Sequence, residues 1–388
     1  MDLAGKVVLV TGGTGFIGSR LVEKLVVEQR AHVRVLVRNF ARAARISRFP
    51  MEMIRGDLTD PESIKRAVNG CAVVFHCAYD FGGNATEQKW VGLKATVELA
   101  DAVISNKVSK MVYVSSFAVY APMADGDLTE SSPWPSSRDI YVDVKRASER
   151  ALLERFRKRG LPISIIQPSL VYGPYSTQWT VDTVNKLRTG IVPLLDDGSG
   201  YCNAVYIDDV VDALILAGTR PEATGETFLI SAEEPITWRQ FYGAYEQILG
   251  IRSTAPMTVE ELLELREKQR KDSSLPHRLK SIALMPEIFP LLASLPPIPT
   301  GLRTIRRLLS EEQWKSLKAR IVQENGTASK NGARKETIHI PNDSLLVLYR
   351  SKTRVCTDKA KLLLGYSPKF SFVRGMEITG QFLRWANL

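Results

Sequence analysis

The sequence predicts an α/β fold: a doubly wound parallel sheet carrying a smaller mixed α/β substrate domain toward the C-terminus. Three observations predict it. Short β-branched runs alternate with helical periodicities through the first 170 residues or so. Those runs are almost wholly apolar, as strands covered on both faces must be. The first of them ends in a cluster of glycines that opens a helix.

Strand one is "KVVLV" (6–10), and helical spacing follows in "FIGSRLVEKLVVEQ" (16–29). Further strands are expected at "HVRVLVR" (32–38), "MEMIRGD" (51–57), "AVVFHCA" (72–78), "KMVYVSS" (110–116) and "LPISIIQPS" (161–169), with helices between them. These elements make residues 1–175 a dinucleotide-binding domain, to which segments near 200–235 return. Residues 176–388 form the substrate-binding region, including a basic, partly apolar insertion at 251–345. Within it "VEELLELREKQRKD" (259–272) is a charged helix and "NGTASKNGARKE" (325–336) a loop. Order resumes at "DKAKLLLGYSPKFSF" and in a last helix near 374–386.

The 388 residues are 44% hydrophobic and 24% charged, which places the chain among ordinary globular proteins. Its N-terminus runs directly into a strand pattern, so no secretory signal is expected. The four cysteines form no CxxC pair and the four histidines show no metal-ligand spacing. Neither a disulfide framework nor a metal site is expected, and a reducing cytoplasm suits the composition. The net charge of +10 resides in the C-terminal third: residues 1–250 carry 28 basic against 29 acidic side chains, and 251–388 carry 24 against 13. Acids are mixed among those bases without interleaved aromatics, so they are expected to be a solvated face, not a nucleic-acid surface. "SIALMPEIFPLLASLPPIPTG" (281–301) is apolar but broken by prolines, so it is not an uninterrupted membrane span. A lid or subunit contact is the simpler expectation for it. A peripheral membrane contact through 278–307, where basic residues flank it, is the alternative.

In "VTGGTGFIG" (10–18), Gly12, Gly15 and Gly18 stand in GxxGxxG spacing between a strand and a helix. Glycines there let backbone approach a pyrophosphate, and the helix N-terminus offers free N–H groups and the positive dipole end. Such a loop makes the fold Rossmann-type. At the end of the second strand stands Arg38, where an NAD site usually has an acid. An arginine attracts a 2′-phosphate, so the cofactor is expected to be NADP in preference to NAD. Asp57 in "GDLTD" could accept from an adenine amino group, or belong to the start of the next helix, whose caps would be Thr59 or Asp60.

"YVDVK" sets Tyr141 and Lys145 one helical turn apart on one face. An ammonium beside a phenol lowers its pKa from about 10 toward the working range, making Tyr141 a candidate acid/base for an alcohol or ketone. Ser115 and Ser116 close the buried strand "VYVSS".

The segments "TGGTGFIG", "GDLTD", "HCA", "VYVSSFAVY", "YVDVK" and "QPSLVYGP" occur in the order and spacing of the extended short-chain dehydrogenase/reductase family. The chain resembles its NAD-dependent epimerase/dehydratase branch over residues 1–250, and again at 358–369, while 251–345 match no part of it. The resemblance implies an enzyme, commonly a homodimer, that transfers hydride at a hydroxyl or keto carbon, with a nucleotide sugar as the leading substrate. A 3β-hydroxysteroid-dehydrogenase-like or ketone-reductase activity on an apolar substrate is the alternative, and a non-catalytic dinucleotide sensor the third. It implies Tyr141 as acid/base, Lys145 on the nicotinamide ribose and Ser116 on the reacting oxygen. Thr14, Phe16, Ile17, Leu58, Cys77, Ala78, Pro168 and Val171 would line the cofactor, with Tyr79 and Asn203 toward the substrate.

Some positions depart from the family pattern. Dehydratases place Asp-Glu after the catalytic hydroxyl, where this chain has Phe117-Ala118. Arginines that would grip a diphosphate are replaced by Gln167 and Cys202, and a common asparagine by Gly92. Arg350, Lys352 or Arg354 could supply the missing charge.

Overall fold

The computed structural model describes residues 1–79, 85–272 and 337–388. Strands β1 (Val7–Thr11), β2 (His32–Val37), β3 (Glu52–Arg55), β4 (Val73–His76) and β5 (Lys110–Val114) alternate with helices α1 (Phe16–Val27), α2 (Pro61–Val68), α3 (Ala85–Lys89) and α4 (Ala95–Ser105). A short strand β6 (Gly126–Leu128) precedes the long helix α5 (Ile140–Arg159). Then come β7 (Ile163–Pro168), β8 (Leu170–Tyr172), α6 (Asp182–Thr189), β9 (Gly190–Leu195), β10 (Tyr201–Cys202), β11 (Ala204–Tyr206), α7 (Ile207–Thr219) and β12 (Thr227–Ile230).

Seven of these strands form one sheet in the order β12-β7-β5-β4-β1-β2-β3. Every pairing is parallel, with registers such as Val8↔Val33, Val8↔Val73 and Val112↔Ser164. β4, β5 and β7 are buried along their whole length, which is why they read as unbroken apolar runs. Leu9, Val74, Met111 and Ile165 pack with Leu99 and Val103 of α4 and Leu152 of α5 into one core. Each such side chain contributes about 1.5–3 kcal/mol by leaving water. The chain begins in the middle of the sheet, builds outward to β3, then crosses back to β4. The strand order therefore reverses between β1 and β4, and the crevice at their C-terminal ends is where such sheets bind ligands.

Local signals set the boundaries. Asp60 caps α2, accepting from Glu62 N and Ser63 N, so the cap is Asp60 and not Thr59. Asp139 caps α5 by accepting from Tyr141 N at 2.9 Å, and Gly160 ends it in the left-handed region at φ 68°. Beyond the sheet, β8 pairs with β11 in parallel. The strand Thr353–Val355 returns from the far end of the chain to pair in parallel with β6. The last helix runs Phe372–Trp385.

The chain divides into two compact units, Met1–Pro256 with Pro341–Leu388, and Met257–Ile340. In the second unit the charged helix is found at Val259–Asp272. The apolar segment 281–301, its basic flanks and the loop 325–336 lie outside the described residues. Among the described residues no helix is long and apolar enough to cross a membrane.

Candidate active site

Three sheet elements build the site: the β1–α1 turn, the end of β5, and the face of α5 that meets it. The turn is steric in origin. Gly12 has φ +71°, and a Cβ on it would stand 2.6 Å from Ala78 N. A Cβ on Gly18 would stand 2.2 Å from Gly12 O. Both glycines thus admit contacts that any side chain would fill. Gly15 is the N-cap of α1 and no side chain caps it, which leaves the first turn around Phe16, Ile17 and Gly18 to an outside acceptor. Cys77 and Ala78 lie against Gly12, at the floor of the crevice. Burial pushes the Cys77 thiol up to about 12, so it stays protonated. At the other end of the cradle, Arg38 is half exposed and its Nε stands 3.9 Å from Asp57 Oδ2. Asp57 also accepts from Thr59 N and Oγ1, at 2.9 Å each. The cradle, the uncapped helix end and the arginine beyond β2 suit a dinucleotide's pyrophosphate and ribose.

The reacting side chains converge at the end of β5. The strand stops at Val114 because Ser116 caps a tight turn, Phe117–Tyr120, by accepting from Ala118 N at 3.1 Å. The Tyr141 phenol lies near enough to the Ser116 hydroxyl to be drawn down by it. Lys145 Nζ donates to Val114 O at 2.8 Å and to the Tyr113 hydroxyl at 3.3 Å. It lies 4.9 Å from the Tyr79 ring centroid and 5.9 Å from that of Tyr141. Tyr79 meets Tyr141 edge to face at 5.0 Å between ring centroids. Ser116, Tyr141, Lys145 and Tyr79 are therefore brought together.

The electrostatics differ from the expectation in one respect. Tyr141 is not lowered by Lys145: burial pushes it up to about 12, and it is the Ser116 hydroxyl that pulls it down. Burial also lowers Lys145 to about 7, with Glu149 pulling it up. With its own pKa held down to about 7 by burial, Lys145 carries only part of a positive charge near neutral pH.

Other candidate residues are spent elsewhere. Asn203 is buried, and its amide donates to Thr353 O at 2.9 Å and accepts from Val355 N at 3.1 Å. It ties the C-terminal strand down, and a substrate role would cost both bonds. Arg350 pairs with Asp196 at 2.9 Å, Arg354 with Asp127 at 2.8 Å, and Lys352 donates to Ser199 O. Cys202 is fully buried. Pro168 ends β7, and Val171, in the centre of β8, is buried beyond it.

The structure also recruits residues with no role assigned from sequence. His76 is buried between Thr11 Oγ1 at 2.7 Å and Thr96 Oγ1 at 2.8 Å, linking β1, β4 and α4. Burial and the nearby Lys145 hold it neutral, down to about 3. Between α3 and α4 the segment Trp90–Lys94 widens to a π-turn. Gly92 in it accepts from Thr96 Oγ1 at 2.7 Å and Ser148 Oγ at 2.8 Å. A Cβ there would stand 2.4 Å from Val144 Cγ1, so glycine lets α5 press close beside Lys145. Finally, Glu149 and Gln167 form a buried pair behind the site. Gln167 stood out in the sequence only as a departure from an arginine, and one Glu in a charged helix carries no signal.

The family model described as "NAD dependent epimerase/dehydratase family" matches residues 8–231, more than half of the chain. The chain belongs to the NAD-dependent epimerase/dehydratase family. In sequence the chain is similar to a 2-alkyl-3-oxoalkanoate reductase from Shewanella oneidensis, 28% identical over 275 residues, 66% of this chain and 69% of that one. Another such relative is 3beta-hydroxysteroid-dehydrogenase/decarboxylase isoform 1 from Arabidopsis thaliana, 29% identical over 294 residues, 67% of this chain and 66% of that one. In fold the chain is similar to the epimerase Mth375 from Methanothermobacter thermautotrophicus, with a TM-score of 0.70 at 19% identity, covering 99% of this chain and 94% of that one. UDP-glucose 4-epimerase from Thermotoga maritima gives a TM-score of 0.66 at 20% identity, with coverage of 98% and 100%. At such identities the likeness is one of fold. As a member of this family the protein is an NAD-dependent oxidoreductase or epimerase by type.

Proposed function

We propose that this protein is an NAD(P)-dependent oxidoreductase that interconverts a secondary alcohol and a ketone on an apolar substrate, with Tyr141 as acid/base. The observation that carries the chemistry is the convergence of Tyr141 and Lys145 on the strand end capped by Ser116, with Phe117 and Ala118 next to the serine. The dinucleotide, when bound, supplies or accepts the hydride. Ser116 holds the substrate oxygen by hydrogen bond. Tyr141, protonated at neutral pH, gives its proton to that oxygen in the reducing direction and takes it back in the oxidising one. Phe117 and Ala118 can neither protonate a leaving hydroxyl nor remove a proton from the neighbouring carbon, so the site is not built for dehydration.

The apolar substrate is supported over a nucleotide sugar by two kinds of observation. The positions where the family pattern has arginines are Gln167 and Cys202, both buried in this fold. Arg350, Arg354 and Lys352, the basic residues offered in their place, are engaged with Asp196, Asp127 and Ser199. The relatives matched in sequence also include reductases whose names describe ketones with hydrocarbon chains. A 2-alkyl-3-oxo acid is expected to drive oxidation of NADPH, read as loss of the reduced nicotinamide absorbance. UDP-glucose and UDP are expected to leave the melting temperature unchanged. Stabilisation by UDP with no ketone turnover would overturn the apolar reading and restore the nucleotide-sugar one.

Arg38 supports NADP as the cofactor, because a guanidinium at the end of β2 attracts the 2′-phosphate. Arg38→Asp is expected to weaken NADP binding by about tenfold or more, with little change for NAD. Titration of both cofactors by calorimetry checks it, and equal losses for the two would exclude the 2′-phosphate contact.

A further inference from the structure

Behind Lys145 lies a polar network that the reaction above does not use. Glu149 follows Lys145 by one turn on α5 and is buried to 1% exposure. The Ser115 hydroxyl donates to Glu149 Oε1. Gln167 Nε2 donates to both carboxylate oxygens, at 2.9 and 3.0 Å. The Tyr120 hydroxyl in turn donates to Gln167 Oε1 at 3.0 Å. On its far side Glu149 lines a pocket of about 270 Å³, together with Tyr120, Glu130, Trp134, Leu153 and Gln167. That is room for several waters, at about 30 Å³ each.

We propose that Glu149 is a positioning residue for Lys145: its charge keeps the lysine in the ammonium form, and its bond to Ser115 fixes the strand end that holds both Lys145 and Tyr141. Ser115 stands between Val114, whose carbonyl accepts from Lys145, and Ser116, whose hydroxyl draws the Tyr141 phenol down. One carboxylate thus anchors the backbone that sets both side chains.

The charges around Glu149 favour this role. On its own helix it faces Lys145 and Tyr141. From β5 come Tyr113 and Ser115, from the following turn Tyr120, from β7 Gln167, and from the stretch before α5 Glu130. Lys145 is the cation among them. Burial pushes Glu149 up to about 7 and Lys145 down to about 7, while each draws the other back toward its charged form. Removing either charge must therefore move the other's titration, and as a coupled pair they share it.

The proposal rests on Lys145 and Tyr141 being the reacting pair, but its test needs no turnover, so the two readings fail separately. Protein labelled at lysine Cε with carbon-13 is titrated by NMR, with Lys145 assigned through Lys145→Met. In Glu149→Gln the Lys145 titration is expected to fall by about one pH unit. Glu149→Asp, which keeps the charge, is expected to restore most of it. An unshifted Lys145 in a folded Glu149→Gln protein overturns the proposal. Should Glu149→Gln fail to fold, the wild-type protein labelled at glutamate Cδ decides. One glutamate is expected to titrate near neutrality and to rise further in Lys145→Met. The lack of any such signal overturns the proposal as well.

Discussion

Tyr141→Phe is expected to lower turnover by about a hundred- to ten-thousand-fold while leaving dinucleotide affinity within about twofold. The substitution removes one oxygen from a buried ring. It keeps the edge-to-face contact with Tyr79 and the packing of α5. What is lost is the proton donor beside Ser116. Ser116 retains its own cap bond from Ala118 N, so the turn that carries it should survive. The measurement is steady-state reduction of a ketone alongside calorimetric titration of the cofactor. Full activity would remove Tyr141 from the chemistry. A parallel loss of cofactor binding would make its role structural.

Gly18→Ala is expected to weaken cofactor binding by at least about tenfold, equivalent to 1.4 kcal/mol, and to lower stability by about 1–3 kcal/mol. The new methyl would lie 2.2 Å from Gly12 O and 2.8 Å from Gly12 C, both backbone atoms of the loop itself. Nothing there is the flexible end of a side chain. Relief requires the loop to move off the helix end, which widens the cradle built for the pyrophosphate. Chemical denaturation gives the stability change and NADPH titration the affinity change. Wild-type affinity in the variant would show that the loop does not carry the phosphates.

The two experiments probe the parts of the molecule that were most legible in sequence. A glycine loop after a buried strand is a local signal, because chain geometry within nine residues, Val10 to Gly18, decides it. Tyr141 and Lys145 were legible because helix periodicity alone puts them on one face. Glu149 continues the same stripe, yet nothing in "KRASERALLER" marks one glutamate as buried. Its burial depends on Ser115 and Gln167, 34 and 18 residues away. The expected lowering of the Tyr141 pKa failed for a related reason. Adjacency along a helix was legible, whereas the solvent exclusion around Tyr141 is a property of the assembled fold. The role of Asn203 shows the same limit, since its partners Thr353 and Val355 lie about 150 residues further along.

That return strand has a bearing on how the chain is made. The last strand of the seven-stranded sheet ends at Ile230, so every strand of it is translated before the C-terminal segment. β6 is different. Its partner, Thr353–Val355, emerges more than 220 residues later. Until then the edge of β6 and the amide of Asn203 have no intramolecular partner from that strand. Synthesis therefore sets an order: the seven strands of the sheet are all available before the β6–Asn203 side of the molecule can be closed.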